Sequence, residues 1–285
     1  MIRLSGVAHA KLNLTLDVLG RRPDGYHNLS MVMQEITLGD ALEIELETGT
    51  PWSMTCSSGD IPCDDTNLCI KAANLFFQAT GIDCGGLRIH LNKVTPSCAG
   101  MGGGSADGAA ALRLLWEHYG NPISEEALFQ LAERTGSDVP FTLLGGTALA
   151  QEKGQLLTPL TAMPQCHLVI CKPAFPISTP VLFSAVDQAE ILVRPDTEAM
   201  IAALERRDLV AVANSLCNVF TPVVAKDHHE IADIRDTMLS SGALGAEMTG
   251  SGPTVFGIFT EPAQAASCLT RLKERYPTTF LARPV

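Results

Sequence analysis

Leu12, Leu14, Leu16 and Val18 alternate with Lys11, Asn13, Thr15 and Asp17, a period of two that predicts a strand with one apolar and one polar face. "LEIELE" (42–47) and "LRIHL" (87–91) alternate in the same way. Between these two, "NLCIKAANLFFQATG" has helical periodicity and runs out at Gly81. A second helix is predicted over 105–119, closed by Gly120, and a third over "SEEALFQLAERTG". Ser124 is its expected N-cap, with Glu125 and Glu126 in the first turn, where the helix dipole favours them.

Beyond about residue 155 the pattern changes. "HLVICKP", "TVFGIF" and "TTFLARPV" read as strands. "TEAMIAALERR", "DLVAVANSLC", "HEIADIRDTMLSS" and "PAQAASCLTRLKERY" read as helices. Strands and helices mix without a regular βαβα alternation, which predicts an α+β fold in two lobes, 1–154 and 155–285. The chain has no internal repeat and no linker rich in Pro, Gly or Ser, so the lobes are expected to pack around a cleft.

With 285 residues, 46% of them hydrophobic, the chain can bury a large core. No apolar run is long enough to span a membrane, and the first twenty residues lack a signal-peptide pattern, so a cytoplasmic location is expected. The nine cysteines include no CxxC pair, and several sit in apolar runs, as small buried hydrophobes of a reducing compartment would. A net charge of −11 argues against nucleic-acid binding but leaves room for a small anion held by local donors.

"PSCAGMGGGSADGAA" (96–110) spends glycine after glycine just before a helix. It is neither a P-loop, since no Lys-Ser/Thr pair follows, nor a dinucleotide loop, since the third glycine of GxGxxG is missing. The physical logic is nonetheless that of a phosphate cradle. Bare amides at Gly102, Gly103 and Gly104 allow close approach, and a helix starting near Ser105 aims its positive end at the same place. The alternative is a slack turn followed by a helix that Ser105 caps. Ser105 and Asp107 stand where they would cap the helix or assist a metal-bound phosphate. In "GSDVPF" Pro140 suits a helix's first turn, which puts Asp138 at a helix N-terminus, as an N-cap or as an ionised base. Lys11, on a strand with apolar alternate residues, is by default a solvent-facing lysine. "RRPDGYHNL" carries a turn signature followed by Tyr26 and His27.

Three stretches together resemble the GHMP kinases, a superfamily of small-molecule kinases: "AHAKLNLTLDV", the glycine loop and "MTGSGPTVFGIF". The resemblance narrows through "GRRPDGYHNL", "DDTNL", "GSDVPFTLLGGTALA" and "PISTPVLF" to a branch acting on a cytidyl diphosphate alcohol of isoprenoid precursor synthesis. It implies an N-terminal nucleotide-binding lobe on a mixed sheet and a C-terminal ferredoxin-like lobe, with the active site in the cleft between them. It implies ATP as phosphoryl donor and Mg2+ with it, for which no ligand is assigned. Lys11 and Asp138 would be the catalytic pair. Pro96, Ala99, Gly100, Met101, Gly102, Gly103, Gly104 and Ser105 would hold the phosphates of ATP. Asn67 would read adenine, and Lys93 would approach a nucleotide. Tyr26 and Phe183 would sandwich cytosine, His27 would bond its edge, Asn13 would orient the hydroxyl, and Thr179 would hold the substrate's phosphates or sugar.

Three details depart from the family pattern: His9 before the strand motif, "QEKGQ" where a glycine-rich turn is usual, and "NVFTPV" without an acidic residue after its asparagine. The rival readings are another kinase of the superfamily and a non-catalytic nucleotide-binding regulator on the same fold. The superfamily's decarboxylase chemistry would need a carboxylate-binding arginine, and none is evident.

Overall fold

A computed structural model describes all 285 residues. The residues form two compact units that are not consecutive halves of the chain. The first takes Met1–Ala10, Gly39–Ser97 and Gly102–Leu144; the second takes Lys11–Leu38, Cys98–Met101 and Gly145–Val285. A division at 154/155 therefore describes order along the chain, not the compact units.

Two long strands, β1 (Ile2–Arg21) and β2 (His27–Leu46), contribute to both units. The rest of the first unit is β3 (Ser53–Cys56), α1 (Leu68–Thr80), β4 (Leu87–Asn92), α2 (Gly103–His118), α3 (Glu125–Thr135) and α4 (Val139–Leu144). The end of β2 pairs antiparallel with β4, Ile44 opposite Ile89, and β4 pairs parallel with β3. Leu42, Ile44, Leu46, Leu87, Ile89 and Leu91 turn one sheet face to a core completed by Phe76, Leu112, Leu115 and Leu131 of the helices. Several helix ends match a sequence signal. Asn67 accepts from the Cys69 N–H to cap α1, and Gly81 ends that helix at φ 67°. Ser124 accepts from the Ala127 N–H to cap α3. α2 begins at Gly103, two residues earlier than expected, because glycine serves here as its first turn and not only as its approach. Gly108 lets α2 lie against α1: a Cβ there would stand 3.2 Å from the Leu68 carbonyl oxygen.

The second unit adds β5 (Thr147–Glu152), β6 (Leu156–Pro159), β7 (His167–Cys171), α5 (Thr179–Gln188), α6 (Thr197–Glu205), α7 (Leu209–Asn214), β8 (Cys217–Asn218) and α8 (Thr221–Val224). It closes with α9 (Glu230–Ser240), β9 (Gly245–Met248), β10 (Val255–Phe259), α10 (Pro262–Lys273) and β11 (Thr279–Ala282). Four strands form an antiparallel sheet in the order β11-β7-β10-β9, with α9 and α10 packed on it. Read as β7–α9–β9–β10–α10–β11, this is the ferredoxin-like sandwich that the resemblance implied. β5 pairs with β2 (Val32 opposite Leu149), and Cys217 and Asn218 run parallel to Thr15 and Leu16 of β1. β5, β6 and α5 lie in stretches where no strand or helix was expected. α5 opens on Pro180, a first-turn signal that passes unnoticed when "STPVLF" is read only as a motif. No helix is long and apolar enough to cross a membrane.

Candidate active site

The polar face of β1 is not a solvent face. Lys11, Asn13, Thr15 and Asp17 are all buried, with Lys11 at 4% exposure and Asn13 at 1%. Buried polar groups are costly unless bonded, and these are bonded. The Lys11 ammonium donates to Asn13 Oδ1 at 2.8 Å, the Asn13 N–H donates to Thr249 Oγ1 at 2.8 Å, and the Val32 N–H donates to Thr15 Oγ1 at 3.0 Å. The Lys11 N–H donates to the Met101 carbonyl at 3.0 Å, tying this strand to the glycine loop.

The loop's first half, Cys98–Met101, lies in the second unit against the C-terminal glycine motif. Gly100 has φ +72°, and a Cβ on it would run into the Thr249 carbonyl oxygen and sit 2.9 Å from the Gly252 nitrogen. Gly250, at φ +56°, meets the Gly100 carbonyl oxygen in the same way. Two glycine segments thus pack main chain against main chain. Asn218 fixes the outer one: its Nδ2 donates to the carbonyls of Met248 (2.8 Å) and Gly250 (2.9 Å), and its Oδ1 accepts from the Phe220 N–H.

The loop's second half starts α2 in the first unit, where Gly103 and Gly104 leave the first turn bare. Beside that turn lies a buried charge cluster. Lys93, which follows β4, donates to Asp40 Oδ2 at 2.5 Å and Asp107 Oδ2 at 2.7 Å. Asp40 Oδ1 accepts from the N–H groups of Val94 (2.6 Å) and Thr95 (2.7 Å). A Cβ on Gly103 would stand 3.4 Å from the Lys93 ammonium. Burial alone would drive the Lys93 ammonium towards neutrality, but Asp107 and Asp40 override it and hold its pKa above the usual range. Burial pushes the Asp107 carboxyl up to about 7; Lys93 pulls it down, and the neighbouring Asp40 carboxylate pushes it up again.

Asp138 directly precedes α4 and is half-buried, and its carbonyl accepts from the Thr142 N–H as the first helical bond. Asn67 is buried at the start of α1, with Oδ1 spent on its cap and Nδ2 donating to the Pro62 carbonyl at 2.7 Å.

A separate aromatic corner lies in the second unit. His27 stacks on Phe183 of α5, centroids 4.7 Å apart and planes 19° apart, while Phe183 meets Phe220 edge-on. His27 Nε2 bonds Asp187 Oδ1 at 2.9 Å. Tyr26 is 59% exposed, with the Lys153 ammonium over its ring. The Thr179 and Ser251 hydroxyls are 3.1 Å apart, joining α5 to the C-terminal glycine motif.

Sequence reading missed four partners: Asp40, Asn218, Thr249 and Asp187. Each acts across a long stretch of chain; Thr249 and Asn218 lie in quoted motifs but were given no role, and Asp40 and Asp187 carry no local signal beyond residue type.

The chain matches the GHMP kinases N terminal domain over residues 67–146 and the GHMP kinases C terminal domain over 200–278. It is 43% identical to 4-diphosphocytidyl-2-C-methyl-D-erythritol kinase of Pelotomaculum thermopropionicum, over 95% of this chain and 94% of that one. It is 37% identical to the kinase of the same name from Clostridium acetobutylicum, over 98% and 99%. A crystal structure of 4-(cytidine 5'-diphospho)-2C-methyl-D-erythritol kinase superposes with a TM-score of 0.83 at 32% identity, covering 98% of both chains. Homoserine kinase from Cytophaga hutchinsonii, at 17% identity and a TM-score of 0.77 over 99% of this chain and 94% of its own, shares the fold. The chain therefore belongs to the 4-diphosphocytidyl-2-C-methyl-D-erythritol kinases of the GHMP kinase family.

Proposed function

We propose that this chain transfers the γ-phosphoryl group of ATP to the 2-hydroxyl of 4-diphosphocytidyl-2-C-methyl-D-erythritol, a step of non-mevalonate isoprenoid precursor synthesis. The observation that carries the reading is the full-length likeness to kinases of that name. The two domains are ordered along the chain as 1–154 and 155–285, and the reaction is cytoplasmic.

The substrate's 2-oxygen attacks the γ-phosphorus, the bond to the β–γ bridging oxygen breaks, and ADP leaves. Asp138 takes the hydroxyl proton and later returns it to water. Lys11 offsets charge on the transferring group. Asn13, which bonds Lys11 and is itself held by Thr249, orients the hydroxyl. The polyphosphate lies on the backbone from Pro96 and Ala99 through Gly100, Met101, Gly102, Gly103 and Gly104 to Ser105. Its negative charge is met by main-chain N–H groups and the positive end of α2. Lys93 acts at this end from within its cluster with Asp40 and Asp107. Asn67 bears on adenine through the backbone it fixes at the start of α1, because its amide is already committed. Cytosine stacks on Tyr26 and Phe183, His27 meets its edge, and Thr179 holds the phosphate or sugar side.

No Mg2+ ligand is assigned to this chain, and Oδ2 of the one carboxylate in the first turns of α2, Asp107, is bonded to Lys93. Mg2+ enters the reading as ATP's companion ion, held by phosphate and water.

The test is ADP release with ATP, Mg2+ and the cytidyl substrate, run beside mevalonate, homoserine and galactose. Turnover is expected with the cytidyl substrate alone, falling by about 10²–10⁴ in Asp138→Asn. Turnover with another acceptor would reassign the substrate. ATP binding without turnover on any acceptor would make the chain a regulator.

A further inference from the structure

We propose that the Asp40–Lys93–Asp107 cluster takes up one proton when a nucleotide's phosphates dock at the start of α2, so that nucleotide affinity weakens as the solution becomes alkaline. The inference rests on reading the glycine loop as the ATP site.

The argument starts from a count of charge. One ammonium serves two carboxylates, Asp40 at 0% exposure and Asp107 at 3%, so the ionised cluster carries a net negative charge inside the protein. The two carboxylates are not equivalent. Both Asp40 oxygens are bonded, Oδ1 accepting from two main-chain N–H groups and Oδ2 from Lys93. Asp107 has only Oδ2 on Lys93, and its Oδ1 is buried without a hydrogen-bond partner. An unpartnered buried carboxylate oxygen is where a proton costs least. The Asp40 carboxylate beside it stabilises that proton by charge and by accepting a hydrogen bond.

The cluster also lies where a phosphate would act on it. Lys93 reaches the first turn of α2, and Asp107 is one turn along the same helix. Polyphosphate brought to that turn adds negative charge beside a group that is already in excess. Protonating Asp107 removes the excess. The proton comes from water, bonds to the Asp107 carboxylate, and returns to water when the nucleotide leaves; no other bond changes.

The other titratable groups around the cluster do not compete. Cys69 of α1 and Cys56 of β3 face Asp107, and burial raises both thiols, so they are already protonated at neutral pH. Exposed Asp60, near Lys93, is held below the usual carboxylate range by hydrogen bonds from Ser58 and Ser97. Asp107 sits near 7, which makes it the group poised to respond.

The experiment is calorimetric titration of the full chain with Mg2+ and ADP between pH 6 and 8.5, in paired buffers of different ionisation enthalpy. At pH 8 the wild type is expected to take up a substantial fraction of a proton per ADP bound. Each unit by which binding raises the Asp107 pKa costs up to tenfold in affinity across this range. Asp107→Asn is expected to bind ADP without that uptake and with a flatter pH dependence. The nucleotide's own titration is common to both proteins and cancels in the comparison. Equal uptake in the two would overturn the proposal. If Asp107→Asn fails to fold, Asp40→Asn keeps the test open: it removes the carboxylate that holds the proton, so uptake at pH 8 should drop, and unchanged uptake would overturn the proposal. No ADP heat at any pH in folded wild type would instead overturn the nucleotide-site reading beneath it.

Discussion

The start of α2 and the aromatic corner are built from different materials. In the first unit, the start of α2 offers bare main chain over a buried cluster of one lysine and two aspartates. In the second, the aromatic corner offers side chains: an exposed Tyr26, and His27 on Phe183. The contrast follows the ligand parts proposed for them. Phosphates present the same charge and oxygen geometry whatever they are attached to, and fixed N–H dipoles meet them without reorganisation. A base presents an apolar face and a patterned edge, which call for rings and a positioned hydrogen-bonding group. A backbone site should fail through shape, and a side-chain site through lost contacts.

The sharpest way to break that contrast is Gly100→Ala. The position has φ +72°, and the new methyl would run into the Thr249 carbonyl oxygen. A non-glycine residue in this backbone region costs on the order of 1–3 kcal/mol before any clash. Both glycine segments must shift, so kcat/KM should fall by more than about 100-fold with either substrate varied. The melting temperature should fall as well. Steady-state kinetics and a thermal melt check this, and wild-type activity would show that the loop is slack after all.

Which parts of this were legible in the sequence follows from the same contrast. The glycine loop was legible because a backbone requirement leaves its trace in the residues themselves: only glycine tolerates the close approach at Gly100 and Gly250. The caps Gly81 and Ser124, and α4 with Pro140 in its first turn, were legible because capping is local; Asn67, given to adenine, turned out to cap α1. Lys11 was half legible. Alternation separates two faces of β1 but does not tell whether the polar one meets water, and here it is buried. The charge cluster was not legible, and the aromatic corner came only through the resemblance, which grouped Tyr26, His27 and Phe183 without Asp187. Lys93 finds Asp40 across 53 positions, and His27 finds Asp187 across 160. Only the fold brings such pairs together.

The aromatic end should give a selective failure. Stacking on an aromatic ring is worth about 1–3 kcal/mol per base, so Tyr26→Ala should raise KM for the cytidyl substrate by about 5- to 150-fold. KM for ATP should stay within about twofold, since Tyr26 lies on none of the elements assigned to it. Equal rises would erase the distinction between the two regions. Asp187→Ala should act in the same direction but more weakly, because its bond to His27 is partly open to solvent. About a threefold rise in cytidyl-substrate KM is expected, with kcat unchanged. A fall in kcat instead would show that Asp187 does more than steady the imidazole.

The smallest effect sits at the buried end and is read from stability alone. The Asp107 carboxyl titrates near 7 in the folded chain, against about 3.9 for a free aspartate. Between those values the folded state holds a proton that the unfolded chain has released. Stability from this group is therefore fully present at acid pH and is lost as pH rises through about 7. Asp107→Asn keeps a neutral side chain at every pH and leaves Lys93 paired with Asp40 alone. Urea unfolding at pH 5.5 and 8 should show the wild type losing more stability than the variant over that interval. Even ~1 kcal/mol moves the melting temperature by only about 2–4 °C in a chain of this size, so the comparison needs equilibrium titrations rather than melts. Identical pH slopes would mean that Asp107 stays ionised beside Lys93. The nucleotide end would then be a fixed charge pattern, as rigid in protonation as it is in backbone.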